Sequence, residues 1–115
     1  MSKEGWIGCD FDGTLVKYSG WNHGDVGEPV EAMCKIIRKY IEAGAEVRIV
    51  TARAAVPENL KVVEDWTEEH LGKRLQVTDR KDFAMTLLFD DRAVSVKRNE
   101  GRLMISKDDF LGMLR

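Results

Sequence analysis

Short apolar runs alternate with amphipathic segments along the first 90 residues of the chain. Four such runs predict buried strands: residues 6–9, 45–50, 75–78 and 85–89. Two segments between them carry apolar residues at helical spacing and predict helices over residues 29–44 and 57–72. Pro29 and Pro57 suit the first turns of these helices. This order of elements predicts a parallel sheet with right-handed crossovers.

The rest of the chain carries weaker signals. Residues 16–28 form a loop interrupted by glycines, in which Trp21 and His23 are candidates for lining a substrate mouth. Two further short strands are predicted over residues 93–96 and 102–105, and a final helix from Ser106 to Leu114. The predicted fold is therefore an α/β domain over residues 1–115, with a three-layer Rossmann-like parallel sheet and helices on both faces.

Composition excludes several classes of function. The 115 residues are 43% apolar and 33% charged with a net charge of −2, which is typical of a globular protein and not of a basic nucleic-acid-binding surface. The polar N-terminus lacks a signal peptide, and no apolar window is long enough to span a membrane, so we expect a cytoplasmic protein. Cys9 and Cys34 lie within apolar patterns, which indicates buried free thiols.

Polar groups follow the predicted strands at the points where those strands end. Asp10 and Asp12 follow the first strand, and alternate residues of an extended chain point the same way. The remaining groups follow the later strands: Thr51, Lys81, and the pair Asp90 and Asp91. Since the carboxyl ends of parallel strands form one binding crevice, these groups are predicted to converge.

In these motifs the chain resembles the haloacid-dehalogenase-like superfamily of aspartate-nucleophile phosphohydrolases, and more narrowly its small phage and bacterial members without a cap domain. The first motif is the run Asp10-Phe11-Asp12-Gly13-Thr14-Leu15. The second is Thr51 at the end of an apolar strand, the third is Lys81, and the fourth is Asp90-Asp91. The resemblance spans about residues 5–96 and implies a phosphatase that uses Mg²⁺.

The resemblance also implies a role for each motif residue. Asp10 would be the nucleophile and Asp12 the general acid and base. Mg²⁺ would be held by Asp10, Asp90, Asp91 and the main-chain carbonyl of Asp12. Thr14 would orient Asp10, and Gly13 would let the following loop move. Substrate and phosphate contacts are expected from Phe11, Gly13, Thr14, Thr51, Ala52, Arg53 and Lys81. For Arg53 and Arg92 two interpretations stay open, namely contact with substrate or a structural ion pair with the acidic residues.

The chain has no room for the cap domain that sets substrate choice in many relatives. An open site has three explanations: the substrate is large, a second copy of the chain covers the site, or the enzyme has loose selectivity. The expected partner is therefore a phosphorylated small molecule or a nucleic-acid end, with no membrane. Two alternatives to a small-molecule phosphatase stay open. One is a nucleic-acid 3′-end phosphatase, and the other is a receiver-like or non-catalytic phosphate-binding regulatory domain.

Overall fold

The computed structural model describes residues 5–20 and 24–105 of the chain. Four strands form the sheet: β1 (Trp6–Cys9), β2 (Val47–Val50), β3 (Gln76–Thr78) and β4 (Met85–Phe89). Helix α1 (Glu31–Glu42) joins β1 to β2, and helix α2 (Pro57–Leu71) joins β2 to β3. A short 3₁₀ helix (Ala52–Ala55) lies between β2 and α2. These elements lie at the predicted places in the chain.

The sheet is entirely parallel and has the strand order β3-β2-β1-β4. This arrangement confirms the predicted Rossmann-like α/β fold class. All four strands run in one direction, so their carboxyl ends meet at one edge. The pairing of β1 with β4 shifts register between Trp6 and Ile7 and is regular from there to the pair Cys9 and Phe89.

The core lies between the sheet and the two helices, which contact each other. Cys9, Ile49 and Val77 share one face of the sheet because they are register partners on adjacent strands. Ile37 of α1 and Val63 of α2 are fully buried against this core. Burying an aliphatic side chain of this size contributes about 1.5–3 kcal/mol. The helices therefore owe their positions to this shared apolar interface.

The helix ends follow from local sequence. Pro57 occupies the first turn of α2, where no backbone N–H is needed. Gly72 ends the helix with a φ of 80°, a left-handed conformation that glycine adopts without a steric penalty. Near this end His70 stacks on Trp66 with ring centroids 4.7 Å apart. Neither described helix is long and apolar enough to cross a membrane.

The opposite face of the sheet packs closely around β1. Trp6 is 2% exposed, and its indole N–H donates to Asp82 Oδ1 at 2.8 Å. The Arg48 guanidinium lies 4.5 Å from the centre of the Trp6 ring. A Cβ added to Gly8 would lie 3.0 Å from the Met85 sulfur and 3.1 Å from Leu88 Cδ1. Glycine at position 8 therefore allows the close packing of neighbouring strands on this face.

The prediction of two short strands near the end of the described chain was wrong. Residues 93–96 and 102–105 contain a single isolated bridge between Val96 and Leu103. The chain turns between them at Asn99, whose φ is 65°. A two-stranded ribbon with exposed side chains buries too little apolar surface to extend its pairing. The predicted final helix from Ser106, and the loop residues Trp21 and His23, lie outside the described residues.

Candidate active site

Three carboxylates meet where β1 and β4 end. Asp10 follows β1, and its backbone N–H donates to the Phe89 carbonyl at 2.8 Å, which extends the pairing of the two strands by one residue. Asp90 and Asp91 follow β4 directly. Carboxylate oxygens of Asp10, Asp90 and Asp91 all lie within 4.8 Å of one another. The structure thus brings together the two acidic motifs that are 80 residues apart in sequence.

The electrostatics of this cluster are unfavourable to the Asp10 carboxylate. Burial is the largest cause and raises the pKa of Asp10 to about 7, although a hydrogen bond from the Phe11 backbone opposes the rise. Hydrogen bonding to the Asp91 side chain and the charges of Asp90 and Asp91 contribute to the same rise in pKa. Like charges held this close require a proton or a cation to offset them.

The donor set of this cluster fits a hard divalent cation. All three groups offer carboxylate oxygens, which are the ligands that Mg²⁺ and Ca²⁺ prefer. Among the described residues no histidine or cysteine joins the cluster, so the site does not have the nitrogen and sulfur ligands typical of zinc. The Asp12 carboxylate lies outside this group of three.

Thr14 and Gly13 position Asp91. The Thr14 hydroxyl donates to Asp91 Oδ1 at 3.1 Å and accepts the Asp91 backbone N–H at 3.1 Å. Gly13 has a φ of 87°, and a Cβ at this position would lie 2.5 Å from Asp91 Oδ2. The expectation that Thr14 orients Asp10 is therefore corrected, because its hydroxyl pairs with Asp91. Glycine is required at position 13 because the Asp91 carboxylate lies too close for a Cβ, and because the backbone has a positive φ.

Phe11 contributes to the site through its backbone. Its side chain is fully buried, and its ring meets the Trp66 ring edge-on with centroids 5.1 Å apart. Its carbonyl accepts the N–H groups of Thr14, Leu15 and Val16 and forms the turn that follows Asp10. The side chain therefore anchors this turn to the core.

Thr51 lies on the neighbouring strand end. Its backbone N–H donates to the Thr78 carbonyl at 2.8 Å, and its hydroxyl oxygen accepts the Arg53 N–H at 3.2 Å. Thr51 is 6% exposed, yet it lines the same cavity as Asp10. The hydroxyl proton has no acceptor among the described residues, so it is available to an oxygen bound in the cavity.

Arg53 forms a buried ion pair with Asp12. Its Nε donates to Asp12 Oδ2 at 2.7 Å and its Nη2 donates to Asp12 Oδ1 at 2.9 Å. The Arg53 side chain is 3% exposed. Of the two interpretations left open by the sequence, the structural ion pair describes Arg53. Ala52, which precedes it, is exposed and lines the cavity.

The loop that follows the first motif is anchored at both ends. The Lys17 N–H donates to the Glu28 carbonyl at 2.8 Å, and the Val30 N–H donates to the Leu15 carbonyl at 2.7 Å. A Cβ on Gly27 would lie 2.0 Å from the Lys17 carbonyl oxygen, so only glycine fits at this contact. The loop ends are therefore fixed beside the cavity.

A cavity of about 430 Å³ contains the convergent groups. Its lining residues come from the carboxyl edge of the sheet and the start of α2: Asp10, Asp12, Tyr18, Thr51, Ala52, Arg53, Val56, Asn59, Asp90 and Arg92. The sequence motifs did not reveal Tyr18, Val56 and Asn59 as lining residues. A signal for Asn59 existed, because it lies in the first turn of a helix that begins at the carboxyl edge of the sheet.

Lys81 is separate from this group. It is exposed in the segment before β4 and is not part of the cavity lining. Its ammonium makes no hydrogen bond or ion pair with the described part of the chain. Arg92 is the exposed cation that lines the cavity. The role of Lys81 stays a prediction.

The two thiols have structural positions. Cys9 and Cys34 are buried and free, as the sequence predicted. Burial, followed by the charge of Asp10, raises the pKa of the Cys9 thiol well above its ordinary value. A thiol held protonated is a poor nucleophile, so Cys9 supports the core and not the chemistry.

Comparison with known proteins supports the fold. A solved structure of a conserved protein from Bacteroides thetaiotaomicron is similar to this chain, with a TM-score of 0.61 and 20% identity over 79% of this chain and 78% of that one. No protein-family model matches the chain, and no curated protein matches it. At this identity the likeness shows a shared fold alone.

Proposed function

We propose that this protein is a magnesium-dependent phosphatase of the haloacid-dehalogenase-like superfamily, acting on a phosphomonoester. The observation that supports the proposal is the cluster of Asp10, Asp90 and Asp91 oxygens within 4.8 Å, in a cavity that also contains the Thr51 hydroxyl. A carboxylate nucleophile, an oxygen cluster for a cation and a free hydroxyl are the groups that phosphoryl transfer through an aspartate requires.

In the first step an Asp10 carboxylate oxygen attacks the phosphorus, and the bond to the leaving oxygen breaks. Asp12 in its protonated form gives its proton to that leaving oxygen, and the resulting carboxylate pairs with Arg53. In the second step Asp12 accepts a proton from water, which attacks the phosphorus and releases Asp10. The two steps consume one water and return both carboxyl groups to their starting states.

Charge repulsion is the main obstacle to the first step. Two unit charges 4 Å apart repel by about 4 kcal/mol at intermediate screening. A Mg²⁺ ion held by Asp10, Asp90 and Asp91 would supply the positive charge that offsets this repulsion. The Thr51 hydroxyl, which lines the same cavity, would donate to a phosphate oxygen.

The test is a magnesium-dependent phosphatase screen on the wild type and two variants. Asp10→Asn removes the nucleophile and is expected to abolish turnover. Asp65→Asn is a matched control, because Asp65 pairs with Lys61 and Arg74 on the surface of α2. Asp12→Asn is expected to accumulate phosphoenzyme. If the wild type turns over no phosphoester, or if Asp10→Asn matches it, the proposal is wrong.

The open cavity keeps a nucleic-acid end in consideration as substrate. Tyr18 and Val56, at 42% and 44% exposed, give the cavity an accessible apolar wall on which a base can stack. Comparing a 3′-phosphorylated oligonucleotide with mononucleotides and sugar phosphates separates these substrates. A long-lived phosphoaspartate without turnover would instead favour the receiver-like alternative.

Two further expectations accompany the proposal. The buried free thiols of Cys9 and Cys34 support a location in the reducing cytoplasm. An open site also suits a second copy of the chain as its cover. Sedimentation with and without substrate would test this expectation.

A further inference from the structure

The guanidinium of Arg53 already has protein partners on two sides. On one side it donates to both carboxylate oxygens of Asp12, at 2.7 and 2.9 Å. On the other side it donates to the Gly24 carbonyl at 2.7 Å and to the Asp25 carbonyl at 3.0 Å. Two N–H groups thus bond the carboxylate, and two bond the backbone of the loop.

The rest of the Arg53 residue is also held in place. Its backbone N–H donates to the Thr51 hydroxyl at the start of the 3₁₀ helix, at 3.2 Å. Its guanidinium carbon lies 5.6 Å from the centre of the buried Phe11 ring. Arg53 is therefore fixed by the core, with four of its guanidinium N–H groups bonded to protein acceptors.

We propose that Arg53 is a positioning residue that fixes the Asp12 carboxylate relative to the Gly24–Asp25 backbone. The proposal rests on the proposed function, in which Asp12 transfers the proton. Arg53 thus holds the carboxylate of Asp12 and the backbone of Gly24 and Asp25 in one bonded unit. Loss of this unit would leave the proton donor without a fixed position relative to the leaving oxygen.

The chemistry requires such a device because proton transfer depends closely on distance. A general acid acts within about 2.6–3.2 Å of the oxygen that it protonates. Asp12 is exposed to the open cavity on one side, with 21% of its side chain accessible, so packing alone does not fix it. The two parallel N–H···O bonds from Arg53 determine both the position and the plane of the carboxylate.

The kinetic test uses Arg53→Lys, which keeps the charge and loses the two-pronged geometry. We expect kcat to fall by about 10- to 100-fold, within the range that general acid–base catalysis supplies. KM should stay within about threefold, because Arg53 does not touch substrate. The double variant with Asp12→Asn should be no slower than Asp12→Asn alone. Arg38→Lys is the matched control, since Arg38 also bridges two elements, by its bond to the His70 carbonyl, away from the cavity.

Guanidinium rescue separates positioning from a general loss of structure. Arg53→Gly should be inactive and should regain part of its kcat in millimolar guanidinium, whereas Arg53→Lys should not respond. A KM that rises while kcat is unchanged would assign Arg53 to substrate binding and overturn the proposal. Wild-type kcat in Arg53→Lys would overturn it as well.

A second measurement does not depend on activity. Hydrogen exchange of the peptide covering residues 24–30 should accelerate in Arg53→Lys and in Asp12→Asn, and the double variant should show no additional effect. Unchanged exchange in both single variants would overturn the coupling. If the wild type has no phosphatase activity, the proposed function fails, and this exchange measurement still decides whether Arg53 links Asp12 to the loop.

Discussion

Removing the charge of Asp10 should stabilise the metal-free protein above neutral pH. The pKa of Asp10 rises from 3.8 to about 7 on folding, chiefly through burial and through the neighbouring Asp91 and Asp90. The folded state therefore binds a proton more tightly than the unfolded state does. Stability falls as the pH rises from about 4 to about 7, and the full loss is present above that window.

The size of this effect follows from the same pKa. A rise in pKa from 3.8 to about 7 corresponds to a loss of about 4 kcal/mol in the free energy of unfolding, at about 1.4 kcal/mol per pKa unit. Asp10 is only partly buried, and solvent screening reduces the value to about 2 kcal/mol. For a domain of this size, about 2 kcal/mol shifts Tm by about 8 °C. Asp10→Asn should thus have the higher Tm at pH 8.

Thermal unfolding followed by circular dichroism, in chelator and from pH 5 to pH 8.5, measures the difference. The wild type should lose stability across this range relative to Asp10→Asn, and Mg²⁺ should restore more of the Tm in the wild type. Asp65→Asn is the control of opposite sign, because hydrogen bonds from Arg74 and Lys61 lower the pKa of Asp65. Equal Tm values for the wild type and Asp10→Asn at pH 8 in chelator would refute the reasoning.

Three further variants test other parts of the structure. Gly13→Ala places a Cβ 2.5 Å from Asp91 Oδ2 and should weaken Mg²⁺ binding at least tenfold by calorimetry. Gly20→Ala should not weaken it, because this glycine shares a positive φ, of 121°, but its Cβ would meet no atom of the described residues within 4 Å. Asn59→Ala removes an amide that lines the cavity and has no partner among the described residues. In steady-state assays KM should rise about fivefold with kcat unchanged. The control is the adjacent Glu58→Ala, which should leave KM unchanged. Ile37→Ala empties a fully buried position and should cost about 2–5 kcal/mol in urea unfolding, while Ile36→Ala, at 42% exposed, should cost less than about 1 kcal/mol.

The sequence predicted the sheet and the convergence of its acidic residues for one physical reason. Apolar runs of strand length marked the strands, and the carboxyl ends of parallel strands share an edge. Asp10 and Asp90 therefore had to lie at the same edge once the strand directions were known, and the strand order then makes them neighbours. The fold required no information about side-chain contacts.

The partners of individual side chains could not be predicted in this way. Arg53 pairs with Asp12, and Thr14 with Asp91, because of rotamers and loop paths that no local pattern encodes. Lys81 satisfied the motif by its place in the chain but lies outside the cavity lining. The prediction of short strands after Asp91 failed because alternating apolar and polar residues predict strand pairing only where one face of the sheet is buried.

The register shift between Trp6 and Ile7 has a consequence for how this chain tolerates changes in length. The irregularity lies at the start of β4, opposite Met85, and the pairing is regular from Leu87 to Phe89. A residue inserted near Met85 can be absorbed where the ladder is already irregular. The same insertion after Leu87 would rotate every following side chain to the other face and carry Asp90 away from Asp10. The amino end of β4 is thus free to vary in length, while its last three residues keep the two acidic motifs together.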